Sequence, residues 1–228
     1  MAVQFAQPYR FSEQQLARMA EAGIFPRSGT QLVDGVPYRG GSPVRFSSSE
    51  YFRLGEIGVL AENERVELID GEIIAMSPEG GRHFACVARL MRLLYGRVPG
   101  ATVLSHGTLF LPEEYRPMPD VMVLRPSADD YENVRPTHED AIVVIEVSDS
   151  TLAFDRHQKA ARYADAAIPE YWLVDLTRDT ISVHRHPVAG QYTDVHVYRR
   201  GQAWKAARLG GLEVAVDAVL KPGVDVAG

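Results

Sequence analysis

The segment AIVVIEV, residues 141–147, constrains the fold more than any other stretch of the chain. It is nearly all apolar and β-branched, the composition of a strand covered on both faces rather than one alternating between core and water. Such a strand requires layers of structure on both sides of its sheet. It also carries a carboxylate, Glu146, at its end, and a buried charge must be paired or neutralised.

The flanking segments supply candidate layers. HFACVARLMRLLYGRV places Val87, Leu90, Met91 and Leu94 on one helical stripe, with His83 and Cys86 at its margin. RHQKAARYADAA reads as a second helix, with Asp155 just before it as an N-terminal cap. Strands are expected at 101–111, 120–125 and 141–147, then in IPEYWLVDL, and in TISVHRH with DVHVYRR as a hairpin. Interleaved strands and helices make the class α/β or α+β around a central mixed sheet.

The N-terminal third holds an internal echo. FSEQQLARMAEAGIF from Phe11 and FSSSEYFRLGEIGVL from Phe46 share a Phe-Ser start, a helical pattern and a Gly followed by two apolar residues. Each leads to a strand and an Asp-Gly turn, at Asp34-Gly35 and at Asp70-Gly71, the latter inside a hairpin spanning Val66 to Met76. Aligned on those turns, Gln31 stands opposite Glu67, so only one copy carries the acid. GVPYRGGSPVR between them reads as an exposed loop. Residues 1–45 are therefore expected to be an extension that partly repeats 46–76, attached to a main domain over 46–220.

Several function classes are disfavoured. One cysteine, Cys86, allows no internal disulfide, and no Cys/His cluster has zinc spacing. The N-terminus lacks a secretory pattern and no segment reaches the roughly 18 apolar residues of a spanning helix; a cytoplasmic setting is expected. A net charge of −6 argues against a general nucleic-acid coat, though not against a nuclease whose acidic ligands await a cation. No GxxxxGK[ST], GxGxxG or GxSxG motif occurs.

The strongest constellation is Asp120, Glu146, Ser148 and Lys159. Asp120 opens one expected strand, Glu146 closes another, and the helix with Lys159 follows. Two carboxylates at paired strand ends repel unless a hard cation such as Mg²⁺ or Mn²⁺ sits between them. Read one at a time, Asp120 could instead cap a turn and Glu146 could pair with a surface arginine.

The order VELIDGE, MSPEGGRH, PMPDVMVL, IVVIEVSDST, then Asp155, Lys159, Tyr163 and IPEYWLVD resembles the Uma-type family of restriction endonuclease-like proteins, within the PD-(D/E)XK superfamily. The resemblance covers about residues 46–215. It implies a restriction endonuclease-like core, metal ligation by Asp120 and Glu146, and a supporting acid at Glu67; the Val147 backbone carbonyl is a further candidate ligand. The superfamily's lysine, two residues after the second acid, is here Ser148. The resemblance implies that Lys159, on the next helix, replaces it. Asp155, Lys159 and Tyr163 recur at i, i+4 and i+8 and so share one helix face. Each has a plainer reading: Lys159 as an exposed lysine paired with Asp155, Tyr163 as core.

Among weaker candidates, Gln158 could contact phosphate or stay in solvent, and His83 could meet a phosphate or cap its helix. His184 and His186 alternate on a strand expected to be an exposed edge, and Trp172 reads as core or as a dimer contact. The expected activity is Mg²⁺- or Mn²⁺-dependent hydrolysis of DNA phosphodiesters by a homodimer. Two alternatives stand beside it: an inactive dimeric binding module on the same scaffold, and a phosphodiesterase for RNA or small nucleotides.

Overall fold

A computed structural model describes residues 7–61, 63–149 and 151–221. The chain divides into two compact units, one made of Ala6–Ser77 and Leu111–Pro117, the other of Pro78–Phe110 and Met118–Gly228. Among the described residues no helix is long and apolar enough to cross a membrane.

The first unit is built on the duplicated pattern. Its elements are β1 (Gln7–Pro8), α1 (Glu13–Glu21), β2 (Thr30–Val33), β3 (Val36–Arg39), β4 (Ser42–Pro43), α2 (Ser48–Glu56), β5 (Val66–Ile69) and β6 (Glu72–Ala75). Ser12 with Gln15, and Ser47 with Glu50, close capping boxes at the starts of α1 and α2, which is why both helices begin just after Phe-Ser. Both Asp-Gly pairs adopt positive φ at both residues, 48° and 75° in one copy and 52° and 78° in the other, the geometry of a tight hairpin turn. Phe11 N–H donates to Gly35 O at 2.7 Å and Phe46 N–H donates to Gly71 O at 2.8 Å, so the helix leads dock on the turns alike.

One expectation changes in this unit. GVPYRGGSPVR is not an open loop: it forms β3 and β4 around Gly40 and Gly41, whose φ of 59° and 83° make the turn. Phe11 and Met19 of the first copy share a core with Phe46, Leu54 and Leu68 of the second.

The second unit contains α3 (Gly81–Leu94), β7 (Thr102–Leu104), β8 (Val121–Leu124), β9 (Ala141–Ser148), α4 (Leu152–Phe154), α5 (Ala160–Asp165), β10 (Glu170–Asp175), β11 (Thr180–Val188), β12 (Gln191–Arg199), β13 (Ala203–Ala206), β14 (Leu212–Ala215) and α6 (Val216–Val219). Six strands form a mixed sheet in the order β12-β11-β10-β9-β8-β7. β9 and β10 run parallel and the other neighbours antiparallel. A parallel pair needs a crossover, and the helical run α4–α5 supplies it.

AIVVIEV occupies β9, an interior strand buried along nearly its whole length. Val143, Ile145 and Val147 pack with Cys86, Val87, Leu90 and Leu94 of α3 and with Trp172 and Val174 of β10. Alternation turns Val144, Glu146 and Ser148 to the opposite face of the sheet.

Three readings are corrected here. The strand expected at 101–111 stops at Leu104, since His106 takes φ 55° and turns the chain away; Phe110 makes one isolated bridge to Thr137. Asp155 is not a cap but lies inside a continuous helical run, where Asp155–Lys159 form a wide π-turn between α4 and α5. The strand of His184 is not an edge: β11 lies between β10 and β12.

Candidate functional site

The register of β8 on β9 decides where the two acids meet. Val121 pairs with Ile145, so the preceding Asp120 falls opposite Glu146, with Cβ atoms on one face roughly 5 Å apart. Val147 N–H donates to Asp120 Oδ2 at 2.7 Å and fixes that carboxylate against β9. Both acids are buried, at 5% and 4% exposure.

The crossover then delivers the partners of Glu146. Lys159 Nζ donates to its Oε1 at 3.0 Å, and Tyr163 OH donates to the same oxygen at 2.6 Å. Lys159 is only 1% exposed, so the reading of a solvated surface lysine is corrected; its stem is packed and its charge has been taken out of water. Asp155 Oδ1 lies 4.0 Å from the ammonium, and Asp155 Oδ2 accepts from the Thr151 hydroxyl at 2.6 Å, with Ser148 Oγ 3.4 Å from Thr151. Burial pushes the Asp155 carboxyl up from the usual range, opposed by the Lys159 charge. Tyr163 is fully buried, as its core reading expects, yet its hydroxyl belongs to this network. The π-turn from Asp155 to Lys159 fits a pattern: such single turns recur at functional sites.

A second group approaches Asp120 from the other flank. His83, in the first turn of α3, has Nε2 3.2 Å from Asp120 Oδ2 and Nδ1 3.5 Å from Glu79 Oε2. His106 Nε2 lies 3.4 Å from Glu79 Oε1 and 3.7 Å from Asp120 Oδ1. His106 N–H donates to Pro119 O at 3.2 Å, which holds this loop beside the start of β8. One donor atom each from Glu79, His83 and Asp120 lies within 4.8 Å of the others, a spacing that could hold a metal ion. The capping reading of His83 is replaced, because Gly80 is the N-cap and the imidazole faces carboxylates.

Sequence reasoning missed Glu79 and His106. Glu79 had a usable signal, since Glu79 and His83 are four apart in MSPEGGRH. His106 had none: its placement depends on where β7 ends.

Glu67 is buried in β5 of the first unit, and Gln31 in the matching copy is exposed. Gln158 is exposed. His184 is buried, its Nε2 3.0 Å from Ser182 Oγ and its ring beside Tyr171 and Tyr192; burial, helped by the charge of Arg156, pulls it down to about 4. His186 is exposed, so the two do not form a metal pair. Trp172 is core, edge-on to Trp204 with centroids 5.0 Å apart. Cys86 is buried and its thiol is pushed up to about 12 by burial, which leaves it unreactive.

Comparisons with known proteins agree with this architecture. The model of the Uma2 family, described as "Putative restriction endonuclease", matches residues 48–217. A solved structure from Anabaena variabilis ATCC 29413, described as "a putative nuclease belonging to DUF820", superposes with a TM-score of 0.62 over 76% of this chain and 97% of that one. At 16% identity it speaks for the fold alone. A search of curated proteins finds no match.

Proposed function

The chain belongs to the Uma2 family, and from that premise we propose that its second unit is a divalent-metal-dependent endonuclease core acting on DNA phosphodiesters. The observation that carries the proposal is the pairing of Asp120 with Glu146 across β8 and β9, with the buried Lys159 ammonium held on Glu146. The donor set fits a cation: Asp120 and Glu146 are two buried carboxylates on neighbouring strands, with the Lys159 ammonium bonded to Glu146.

Asp120 and Glu146 are the residues that would hold Mg²⁺ or Mn²⁺, with the Val147 backbone beside them. Such an ion supplies Lewis-acid stabilisation of charge on the phosphate oxygens. Lys159 adds a fixed positive charge in a site that excludes water, where it acts on the oxygens that gain charge as the phosphoryl centre is attacked. Tyr163 and Asp155 position Lys159 and Glu146: the first bonds the shared carboxylate, and the second, held by Thr151, flanks the ammonium. Ser148 keeps its place in that hydroxyl chain, so the catalytic lysine arrives from the crossover. Cutting both strands of a duplex calls for two such sites, which a homodimer provides.

The test is cleavage of single- and double-stranded DNA, with RNA as a parallel substrate, under Mg²⁺ and Mn²⁺. Asp120→Ala and Glu146→Ala are expected to abolish cleavage, and Lys159→Met to slow it roughly 10²–10³-fold. Full activity in either acid variant, or RNA cut in preference to DNA, overturns the proposal.

A further inference from the structure

The nuclease reading leaves Glu79, His83 and His106 unused, though all three surround Asp120. Their side chains form a closed circuit: His83 Nε2 to Asp120 Oδ2 at 3.2 Å, Asp120 Oδ1 to His106 Nε2 at 3.7 Å, His106 Nε2 to Glu79 Oε1 at 3.4 Å, and Glu79 Oε2 to His83 Nδ1 at 3.5 Å. Glu79, His83 and Asp120 side chains are each 7% exposed, while His106 is 32% exposed and opens the circuit to solvent. One donor atom each from Glu79, His83 and Asp120 lies within 4.8 Å of the others, close enough for a single cation to bridge them.

The geometry points to a mixed imidazole–carboxylate site, formed by Glu79, His83 and Asp120 with His106 at its solvent edge, that takes a borderline first-row cation such as Mn²⁺, Co²⁺ or Zn²⁺ ahead of Mg²⁺. The proposal rests on the nuclease reading for the role of Asp120 and adds the class of ion. Mg²⁺ is hard, seeks oxygen donors and sheds water reluctantly, whereas imidazole nitrogen favours the later first-row ions. His83 has two ring nitrogens facing two carboxylates, so one can ligate while the other is oriented by its acid, the usual support of a metal-bound histidine. Asp120 is already anchored through Val147 N–H, and His106 is anchored through its own backbone at Pro119.

EDTA-treated full-length protein is titrated with MnCl₂ and with MgCl₂ by calorimetry, and bound Mn²⁺ is examined for nitrogen coupling by electron spin echo spectroscopy. Mn²⁺ is expected to bind about tenfold or more tightly than Mg²⁺ and to show imidazole nitrogen. His83→Gln should weaken Mn²⁺ by about 10–100-fold and reduce the nitrogen signal, with Mg²⁺ affinity changed by less than about threefold. His83→Asn gives the same readout if His83→Gln fails to fold. Bound Mn²⁺ without nitrogen coupling, or affinities unchanged in both variants, overturns the site. Nitrogen-coupled Mn²⁺ in a protein that cuts no DNA keeps the site and overturns the nuclease reading. Asp120-dependent cleavage without nitrogen coupling does the reverse.

Discussion

Replacing Lys159 by Met tests whether the lysine is held by charge or merely accommodated. Its ammonium sits 3.0 Å from Glu146 Oε1 and 4.0 Å from Asp155 Oδ1 at 1% exposure, so methionine preserves most of the buried stem and removes the cation alone. Breaking a buried ion pair from one side costs about 3–5 kcal/mol, because the other charge stays behind in a poor solvent. At roughly 2–4 °C per kcal/mol for a chain of this size, the metal-free variant should melt roughly 6–20 °C below the parent. Scanning calorimetry in EDTA measures this. Adding Glu146→Gln to Lys159→Met removes the stranded charge and should recover more than about 1 kcal/mol, a coupling that lost packing would not produce. Mn²⁺ at 100 times its Kd adds about 2.7 kcal/mol to any state that binds it. A Lys159→Met protein melting within about 2 °C of the parent, or a double variant no more stable than the single one, would refute the argument.

His184 makes stability depend on pH. Its folded value, about 4, lies below the ordinary 6.5, so the unfolded chain takes up the proton first as pH falls; the contribution is complete above pH 6.5 and is lost on the way down to about 4. The loss amounts to roughly 3 kcal/mol, and His184→Gln should remove that portion of the slope in denaturant titrations between those limits. Gly71→Ala and Gly35→Ala should each destabilise by more than about 1 kcal/mol in urea unfolding, since both turns need positive φ and an added Cβ would come 3.0 Å from Arg45 or Arg10 Cβ. Cys86 should resist iodoacetamide in the native protein and react once denatured, as a thiol with 0% exposure and a value near 12 requires; rapid native labelling would contradict its burial.

Several local features could be read before any fold was known because their causes are local. β9 follows from a run of β-branched residues, the two hairpin turns from Asp-Gly, and the starts of α1 and α2 from Ser-x-x-Gln and Ser-x-x-Glu. Elsewhere the outcome depends on backbone turns and strand neighbours that residue type does not specify. The strand ending at Leu104 was overextended because apolar residues beyond His106 look β-forming, and the loop beyond β3 became β4 because two glycines allowed a turn. His184 lies on an interior strand, β11, because tertiary pairing and not residue type sets which strand lies at the edge of a sheet.

The same division runs through the site. From sequence alone came the two acids at strand ends, the candidate lysine and the helix that carries it, since residue type, periodicity and motif order are written along the chain. Only the tertiary structure decided that Asp120 faces Glu146, that Lys159 lies buried on that carboxylate, and that Glu79, His83 and His106 gather at Asp120. Those placements depend on the β8–β9 register, the crossover between parallel strands and the turn after β7, which bring together residues too far apart in the chain for local patterning to relate them.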